Sequence, residues 1–352
     1  MSDPFMIYGA TGYTGQLIAR LAVTQGLRPL LGGRSASALA ALAGELGLDY
    51  RIAPLTDAAA LDAALEGVGA VVNAAGPFVH TAQPMVDACL RTGVHYLDIT
   101  GEIAVFEALA RRSAEARAAG ISLLPGVGFD VVPTDCLAAH LKARLPSATH
   151  LALAFRSVGS TWSRGTMSTM IQSIDRMGAV RQQGKIRQAP AAWKTRAVDF
   201  GRGPVTCVTI PWGDVSTAFH STGIPNIEVY AAFPAAARRA LVASRWVGGL
   251  LAAAPVQRML KRAIGAGAPG PSASQREQGF SLVWGEVRDD QGQVRVSRLR
   301  TPEGYQLTAL TALTAVRRVL AAETSPGFLT PSLAFGADFI MQFAGVVRED
   351  LP

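Results

Sequence analysis

The sequence predicts a doubly wound parallel α/β domain followed by a second α+β domain on a largely antiparallel sheet. Three observations carry this. The first ~130 residues alternate short β-rich runs with Ala/Leu-rich helical runs, the rhythm of βαβ units. A glycine-rich turn sits between the first strand and the first helix. After residue 132 the rhythm changes to longer β-rich runs, two of them joined by Asp289-Asp290-Gln291-Gly292-Gln293, a hairpin turn.

The elements follow in order. Phe5–Tyr8 is an apolar strand that runs into Gly9. Gln16–Gln25 reads as a helix, with Leu17, Ile18, Leu21 and Ala22 on one stripe. Arg28–Leu31 is the second strand, and Ser37–Leu46 the second helix. Asp49–Pro54 is a strand, and Asp57 is placed to cap a helix over Ala58–Leu65. Ala70–Ala75 is a buried strand, and Thr81 caps a helix over Ala82–Thr92 with Pro84 in its first turn. His95–Ile99, a helix over Ile103–Ala119 and Ile121–Leu124 complete the alternation. A helix from Pro133 to Arg144 opens the second domain. Its strands are expected at Leu151–Ser157, Val205–Pro211, Ile227–Phe233, Phe280–Asp289 and Gln293–Leu299. Gly265–Ser274 reads as a surface loop, and Thr301–Ala322 as a long apolar helix. The expected division is 1–132, 133–300 and a returning segment, 301–352.

Composition narrows the function classes. The chain has 352 residues, 49% hydrophobic and 17% charged, which excludes a disordered chain and allows a large core. Its three cysteines are far apart and form no CxxC pair, so a disulfide framework and a zinc ribbon are not expected, and a reduced, cytoplasmic compartment is. The start lacks a basic and an apolar segment of the signal-peptide kind. The net charge of +7 comes with 7% aromatics and no interleaved Lys/Arg run, so nucleic acid is not an expected partner. The positive charge is regional instead. No acid occurs between Glu228 and Glu277, where seven Lys and Arg residues lie. Arg245–Arg262 mixes bases with Trp246, Leu250, Leu251, Val256, Met259 and Leu260. That stretch is compatible with a helix packed on its own domain or in a homodimer, and with weak peripheral membrane contact.

Gly9-Ala10-Thr11-Gly12-Tyr13-Thr14-Gly15 is a GxxGxxG turn. Gly9 permits a tight turn, Gly12 lets the backbone approach a diphosphate, and Gly15 lets the helix pack on the sheet. The helix N-terminus supplies free N–H groups and the positive end of its dipole. The second strand ends in Gly33-Arg34-Ser35, and no Asp or Glu occurs from Gln16 to Gly44 to hold a ribose 2′-hydroxyl. Arg34 and Ser35 suit a 2′-phosphate, which favours NADP(H) over NAD(H). Asn73-Ala74-Ala75-Gly76-Pro77 ends the fourth strand with small residues that leave room for a ligand, and Asn73 can bond backbone or ribose.

These residues, with Tyr96-Leu97-Asp98-Ile99-Thr100-Gly101-Glu102 and the stretch from Pro125-Gly126 to Asp130 and Asp135, resemble the saccharopine dehydrogenase-like oxidoreductases, and within them the trans-acting enoyl reductase branch. The resemblance spans Gly9–Asp135, with an echo at Glu303-Gly304-Tyr305. It implies a Rossmann NADP-binding domain and a C-terminal helix returning to it. It also implies that Thr11, Gly12, Tyr13 and Thr14 line the diphosphate, that Arg34 and Ser35 take the 2′-phosphate, and that Ala75, Gly76 and Pro77 pass under the ribose. The imine-reducing members act on dicarboxylic amino acids. The cluster of bases such a substrate needs is not evident here.

Hydride transfer needs no protein nucleophile, only positioning, exclusion of water and a proton source. Candidate residues lie at the later strand ends. Glu102 faces the crevice or caps the next helix. Asp130 is catalytic or stabilises a turn. Tyr305 donates a proton or packs in the core. No HxxxH, HxH or GxSxG occurs, and no metal is expected. The expected activity is NADPH-dependent reduction of a C=C or C=O bond in an apolar, acyl-type small molecule held between the two domains. Imine reduction, and cofactor binding without catalysis, are the alternatives.

Overall fold

The computed structural model describes residues 4–167, 178–251, 256 and 269–351. They form two units: residues 1–132 with 305–336, and 133–304 with 337–352. The first unit contains β1 (Phe5–Tyr8), α1 (Tyr13–Thr24), β2 (Leu30–Gly33), α2 (Ala36–Leu46), β3 (Tyr50–Ile52) and α3 (Ala58–Leu65). It continues with β4 (Ala70–Asn73), α4 (Phe78–Thr92), β5 (His95–Asp98), α5 (Ile103–Arg111), α6 (Ser113–Ala118) and β6 (Ser122–Leu124). The chain then leaves through α7 (Val132–Arg144).

The second unit's strands are β7 (His150–Val158), β8 (Gly178–Gln182), β9 (Lys185–Ala189), β10 (Thr195–Asp199) and β11 (Pro204–Thr209), then α8 (Asp214–Thr222), β12 (Asn226–Ala232) and α9 (Ala235–Leu251). After α10 (Ala273–Gln278) come β13 (Phe280–Arg288) and β14 (Val294–Pro302). The chain returns to the first unit with α11 (Gly304–Leu320), β15 (Gly327–Phe328) and α12 (Pro331–Phe335), and ends in β16 (Val347–Leu351).

The first sheet has seven strands in the order β15-β6-β5-β4-β1-β2-β3. Every pairing in it is parallel. The order reverses at β1, so strands on either side of it diverge and open a crevice at their carboxyl ends. Its strands are apolar on both faces because helices cover both: Met6, Ile7, Val71, Val72, Tyr96 and Leu97 are all buried.

The second sheet is mixed and mostly antiparallel, as expected, with one parallel pair between β7 and β12. Asp289 builds the β13–β14 turn through its own side chain, whose Oδ1 accepts from the N–H groups of Gln291 at 3.0 Å and Gln293 at 2.8 Å. α7 packs so closely on this sheet that a Cβ on Gly285 would lie 2.6 Å from Leu141.

Several local expectations need correction. The helix expected over 82–92 begins a turn earlier, at Phe78, and carries Pro84 inside it. The helix expected over 103–119 is two, broken at Arg112, which leaves helical geometry at φ −92°, ψ 7°. The 301–352 segment does not return as a piece: residues 337–352 go with the second unit, because β16 pairs with β14. The β8–β9 hairpin and β10 are strands that the pattern reading did not place. The 245–262 stretch lies largely outside the described residues, and in the segment expected as a loop over 265–274 residues 269–274 are described, with α10 beginning inside it at Ala273, capped by Ser272. Among the described residues no helix is long and apolar enough to cross a membrane.

Phe106 on α5 is fully buried, and its ring closes on the backbone of Gly126, where an added Cβ would lie 2.9 Å from it. Phe106→Ala should therefore cost about 3–5 kcal/mol. The midpoint of the first unit's urea unfolding transition checks this.

Candidate functional site: the strand ends of the parallel sheet

The glycine turn is built by close approaches. Gly9 has φ +79°, and its N–H donates to the Gly32 carbonyl at 2.9 Å. A Cβ on Gly9 would lie 2.8 Å from the backbone nitrogen of Ala75, and one on Gly15 would lie 2.4 Å from the Gly9 carbonyl oxygen. Both glycines are thus required by the chain itself. Gly12 differs: it is exposed and extended, and a Cβ there would approach only the Gly9 oxygen, at 3.2 Å. Its open side faces away from the protein, the side a ligand approaches. α1 starts after Gly12 with no side chain capping it, so its first-turn N–H groups lack helical acceptors. Thr11 is held by Gln16, whose Nε2 donates to its carbonyl at 2.9 Å.

At the end of β2, Arg34 is exposed and its side chain has no hydrogen bond or ion pair with any described residue. Its charge acts on the Tyr8 phenol, whose pKa burial raises and Arg34 partly restores. Tyr8 is held by its hydroxyl donating to the Ala53 carbonyl at 2.7 Å. Ser35 precedes α2, yet its hydroxyl makes no capping bond. An unpaired guanidinium, an unused hydroxyl and two uncapped helix starts form a donor set that fits a dinucleotide with an extra phosphate.

Behind this surface lies a buried polar network that the motif reading did not assemble. Asn73 is fully buried; its Oδ1 accepts from the Ala75 N–H at 3.0 Å, and its Nδ2 donates to Thr81 Oγ1 and Tyr96 Oη, each at 3.3 Å. Of the two roles open to Asn73, the structure displays the backbone one. The Tyr96 hydroxyl donates to Asp98 Oδ2 at 2.8 Å. Asp98 Oδ1 accepts from the N–H groups of Thr100 at 3.0 Å and Gly126 at 2.9 Å. One chain of hydrogen bonds thus runs from the 73–77 turn, which contains Ala75, Gly76 and Pro77, to the 98–102 and 126–128 turns. Burial pushes the Asp98 carboxyl up to about 6.

Glu102 does not cap the helix that follows it. Its Oε1 accepts from the Phe78 N–H at 2.7 Å and its Oε2 from the Val79 N–H at 2.9 Å. Both oxygens close the start of α4, where Pro77 has no side-chain acceptor to offer. Asp130 packs on Gly101: a Cβ there would lie 3.0 Å from its Oδ2. Burial, assisted by the charge of Glu102, pushes Asp130 up to about 7. Tyr305, at the start of α11, lies edge-on against Tyr13 with ring centroids 5.2 Å apart. Farther along α11, Thr308 Oγ1 accepts from the Phe129 N–H at 2.9 Å and Thr311 Oγ1 donates to the Val127 carbonyl at 2.7 Å. Tyr13 and Tyr305 thus meet at the glycine turn, while Glu102 and Asp130 stand at the ends of β5 and β6. Among the described residues no cluster of His, Cys, Asp or Glu could hold a metal ion.

The family described as the saccharopine dehydrogenase NADP binding domain matches residues 5–124. Over those residues the chain is similar to that NADP-binding domain, which supports NADP(H) as its cofactor. A trans-acting enoyl reductase of Mycobacterium leprae (strain TN) is 35% identical over 138 residues, covering 37% of this chain and 33% of its own length. A trans-acting enoyl reductase of Mycobacterium bovis (strain BCG / Pasteur 1173P2) is 28% identical over 183 residues, 48% of this chain and 44% of that protein. A lipid droplet localized protein of Caenorhabditis elegans is 26% identical, covering 51% of this chain and 47% of its own. The chain thus spans less than half the length of these relatives. The apo saccharopine dehydrogenase (L-Glu forming) of Saccharomyces cerevisiae shares the fold, with a TM-score of 0.68, 11% identity, and coverage of 99% of this chain and 100% of that one.

Two predictions follow from this geometry. Arg34→Ala should weaken NADPH binding by about one to two powers of ten and leave NADH nearly unchanged, measured by quenching of protein fluorescence. Equal loss for both cofactors would remove Arg34 from the 2′-phosphate. Asp98 has a folded pKa raised from 3.8 to about 6, so the folded state holds its proton longer than the unfolded state does. Its contribution is present below pH 4 and is lost as pH rises through 6. Asp98→Asn should cancel that loss, so the melting temperature of the variant should gain on wild type between pH 4 and pH 7.

Proposed function

We propose that this protein is an NADPH-dependent reductase of a C=C or C=O bond in an apolar, acyl-type substrate. The observation that carries the reading is the position of the half-buried Asp130 against Gly101, beyond the carboxyl ends of β5 and β6 in an NADP-binding domain, where burial pushes its carboxyl up to about 7. When bound, NADPH supplies a hydride from its nicotinamide. Asp130 holds the balancing proton near neutral pH, where a general acid is most effective. Arg34 and Ser35 bind the 2′-phosphate, and the turn through Thr11, Gly12, Tyr13, Thr14 and Gly15 receives the diphosphate. Ala75, Gly76 and Pro77 pass beneath the ribose. Glu102 is a positioning residue that fixes the start of α4, and Tyr305 supports the glycine turn through Tyr13. The enoyl reductase names of the relatives support a conjugated acyl substrate over an imine.

The test follows NADPH oxidation with trans-2-enoyl thioesters of rising chain length. kcat/KM should rise with each added methylene, up to about fourfold at roughly 0.8 kcal/mol per buried CH₂. Activity should fall as pH rises through about 7, as Asp130 loses its proton. Asp130→Asn should lower kcat about 10²–10⁴-fold with NADPH affinity retained. Best turnover on an amino acid with a 2-oxo acid would return the protein to imine chemistry. NADPH binding with no turnover on any of these would make it a sensor.

A further inference from the structure

The second sheet carries a row of cations on one face. Residues paired across neighbouring strands share a face, so the registers can be read straight across. Arg196 of β10 lies opposite Cys207 of β11, and Cys207 opposite Ala232 of β12. Ala231 pairs with Phe155, which puts Ala232 beside Arg156 of β7. Arg156 lies opposite Leu282 of β13, and Leu282 opposite Arg300 of β14. Arg156 and Arg300 are therefore two strand spacings apart, about 10 Å.

Other arginines join the row from outside the sheet register. The charges of Arg156 and Arg238 both act on the Cys207 thiol, so Arg238 comes in at the β11 end. Arg202 and Arg300 both lie over the ring of Phe280, at 5.7 Å and 4.7 Å from its centroid. Phe280 is two residues from Leu282 and on the same face.

The acids of this face are already taken. Arg196 pairs with Glu286, Arg298 with Asp199 and Lys194 with Glu228. The side chains of Arg156, Arg202, Arg238 and Arg300 have no hydrogen bond or ion pair with any described residue. Four guanidiniums along one face, two held at one ring and none neutralised, repel one another unless an anion joins them. Arg156 is half-buried beside the buried Cys207 and the half-buried Ala232, while Arg202 and Arg300 at the other end are exposed. A second copy would bring an identical cation row against it.

We propose that this face binds an organic ligand of nucleotide size carrying at least two phosphate groups. Arg156 and Arg238 take one phosphate at the β7–β11 end of the row. Arg202 and Arg300 take the other at the Phe280 ring, which also offers an apolar surface to a base or sugar. Forked guanidiniums stacked on an aromatic are preorganised for bidentate phosphate contacts. This site is built on the second unit, the dinucleotide turn on the first, and it does not depend on the reaction proposed above.

The experiment is calorimetric titration of the full chain saturated with NADPH, which closes the dinucleotide site to the probe. The probes are adenosine 3′,5′-bisphosphate and inorganic pyrophosphate, at low and at physiological salt. The wild type should bind the bisphosphate more tightly than pyrophosphate, and more weakly as salt rises. Arg156→Gln with Arg300→Gln should weaken the bisphosphate about ten- to a hundredfold, with NADPH affinity and melting temperature unchanged. Lys at both positions, which keeps charge and loses the fork, should fall between. Arg300 is exposed, so Arg300→Gln alone serves if the double variant is unstable. Absence of heat with the wild type, or equal affinity in the Gln variant, would overturn the proposal. So would arginine-dependent binding seen only with phosphatidylserine vesicles, or dissociation of a wild-type dimer in the Gln variant, which would assign the row to a membrane or to a second copy.

Discussion

A buried carboxylate organises the NADP-binding domain. Asp98 has no exposed surface, yet three donors converge on it: the Thr100 and Gly126 N–H groups and the Tyr96 hydroxyl. Each belongs to a different stretch at the strand ends. Without an acceptor there, two backbone N–H groups and a phenol would be buried unpaired, at about 1–3 kcal/mol each. Burial raises the affinity of Asp98 for a proton and the three donors lower it again, and their convergence holds the turns after β5 and β6 at a fixed distance. Through Tyr96 and Asn73 the same network reaches the turn after β4. The surface that faces the cofactor is loop, and its shape is set from beneath by side chains on rigid strands.

Much of the first unit was legible because its constraints are local. A glycine needed for φ +79° at Gly9, or for a 2.4 Å approach at Gly15, leaves a mark at a fixed place in the sequence. The alternation of strand and helix marks the sheet around it. The absence of acids from Gln16 to Gly44 likewise pointed to NADP rather than NAD, and the matching family is an NADP-binding one. Other features depend on residues far apart in the chain, and spacing carries no trace of them. Glu102 reads as facing the crevice or capping the helix that follows it, yet it closes a helix that began 24 residues earlier. Thr308 and Thr311 read as ordinary helix residues until Phe129 and Val127 are seen beside them. In the second unit, the β8–β9 hairpin lies at the edge of the sheet with one polar face, so its strands lack the apolar runs that mark β7, β12 and β13.

The two sheets handle charge in opposite ways. The first joins its buried Asn73, Tyr96 and Asp98 in one hydrogen-bonded network and leaves Arg34 outside, without an ion pair among the described residues. The second carries arginines on the face of an apolar cluster, with Arg196 over Trp284 and Arg300 over Phe280, each at 4.7 Å. Trp284 and Tyr230 are buried there with Val198, Phe200, Cys207 and Leu282.

The hold of Thr308 and Thr311 on the 127–129 turn has a consequence for how the protein is made. The first unit is discontinuous: residues 305–336 supply the helix that clasps this turn and the last strand, β15, beside β6. A ribosome emits all of β1 to β6 long before either exists. The parallel sheet must therefore wait, with its β6 edge unpaired and its loop unclasped, while the whole second unit is synthesised. During that interval the nascent chain exposes an apolar strand edge of the kind that recruits chaperones or foreign strands. The turn after β6 is thus completed only once residues 305–336 have been made, so a chain stopped before Gly304 would lack this clasp although β1 to β6 are already present.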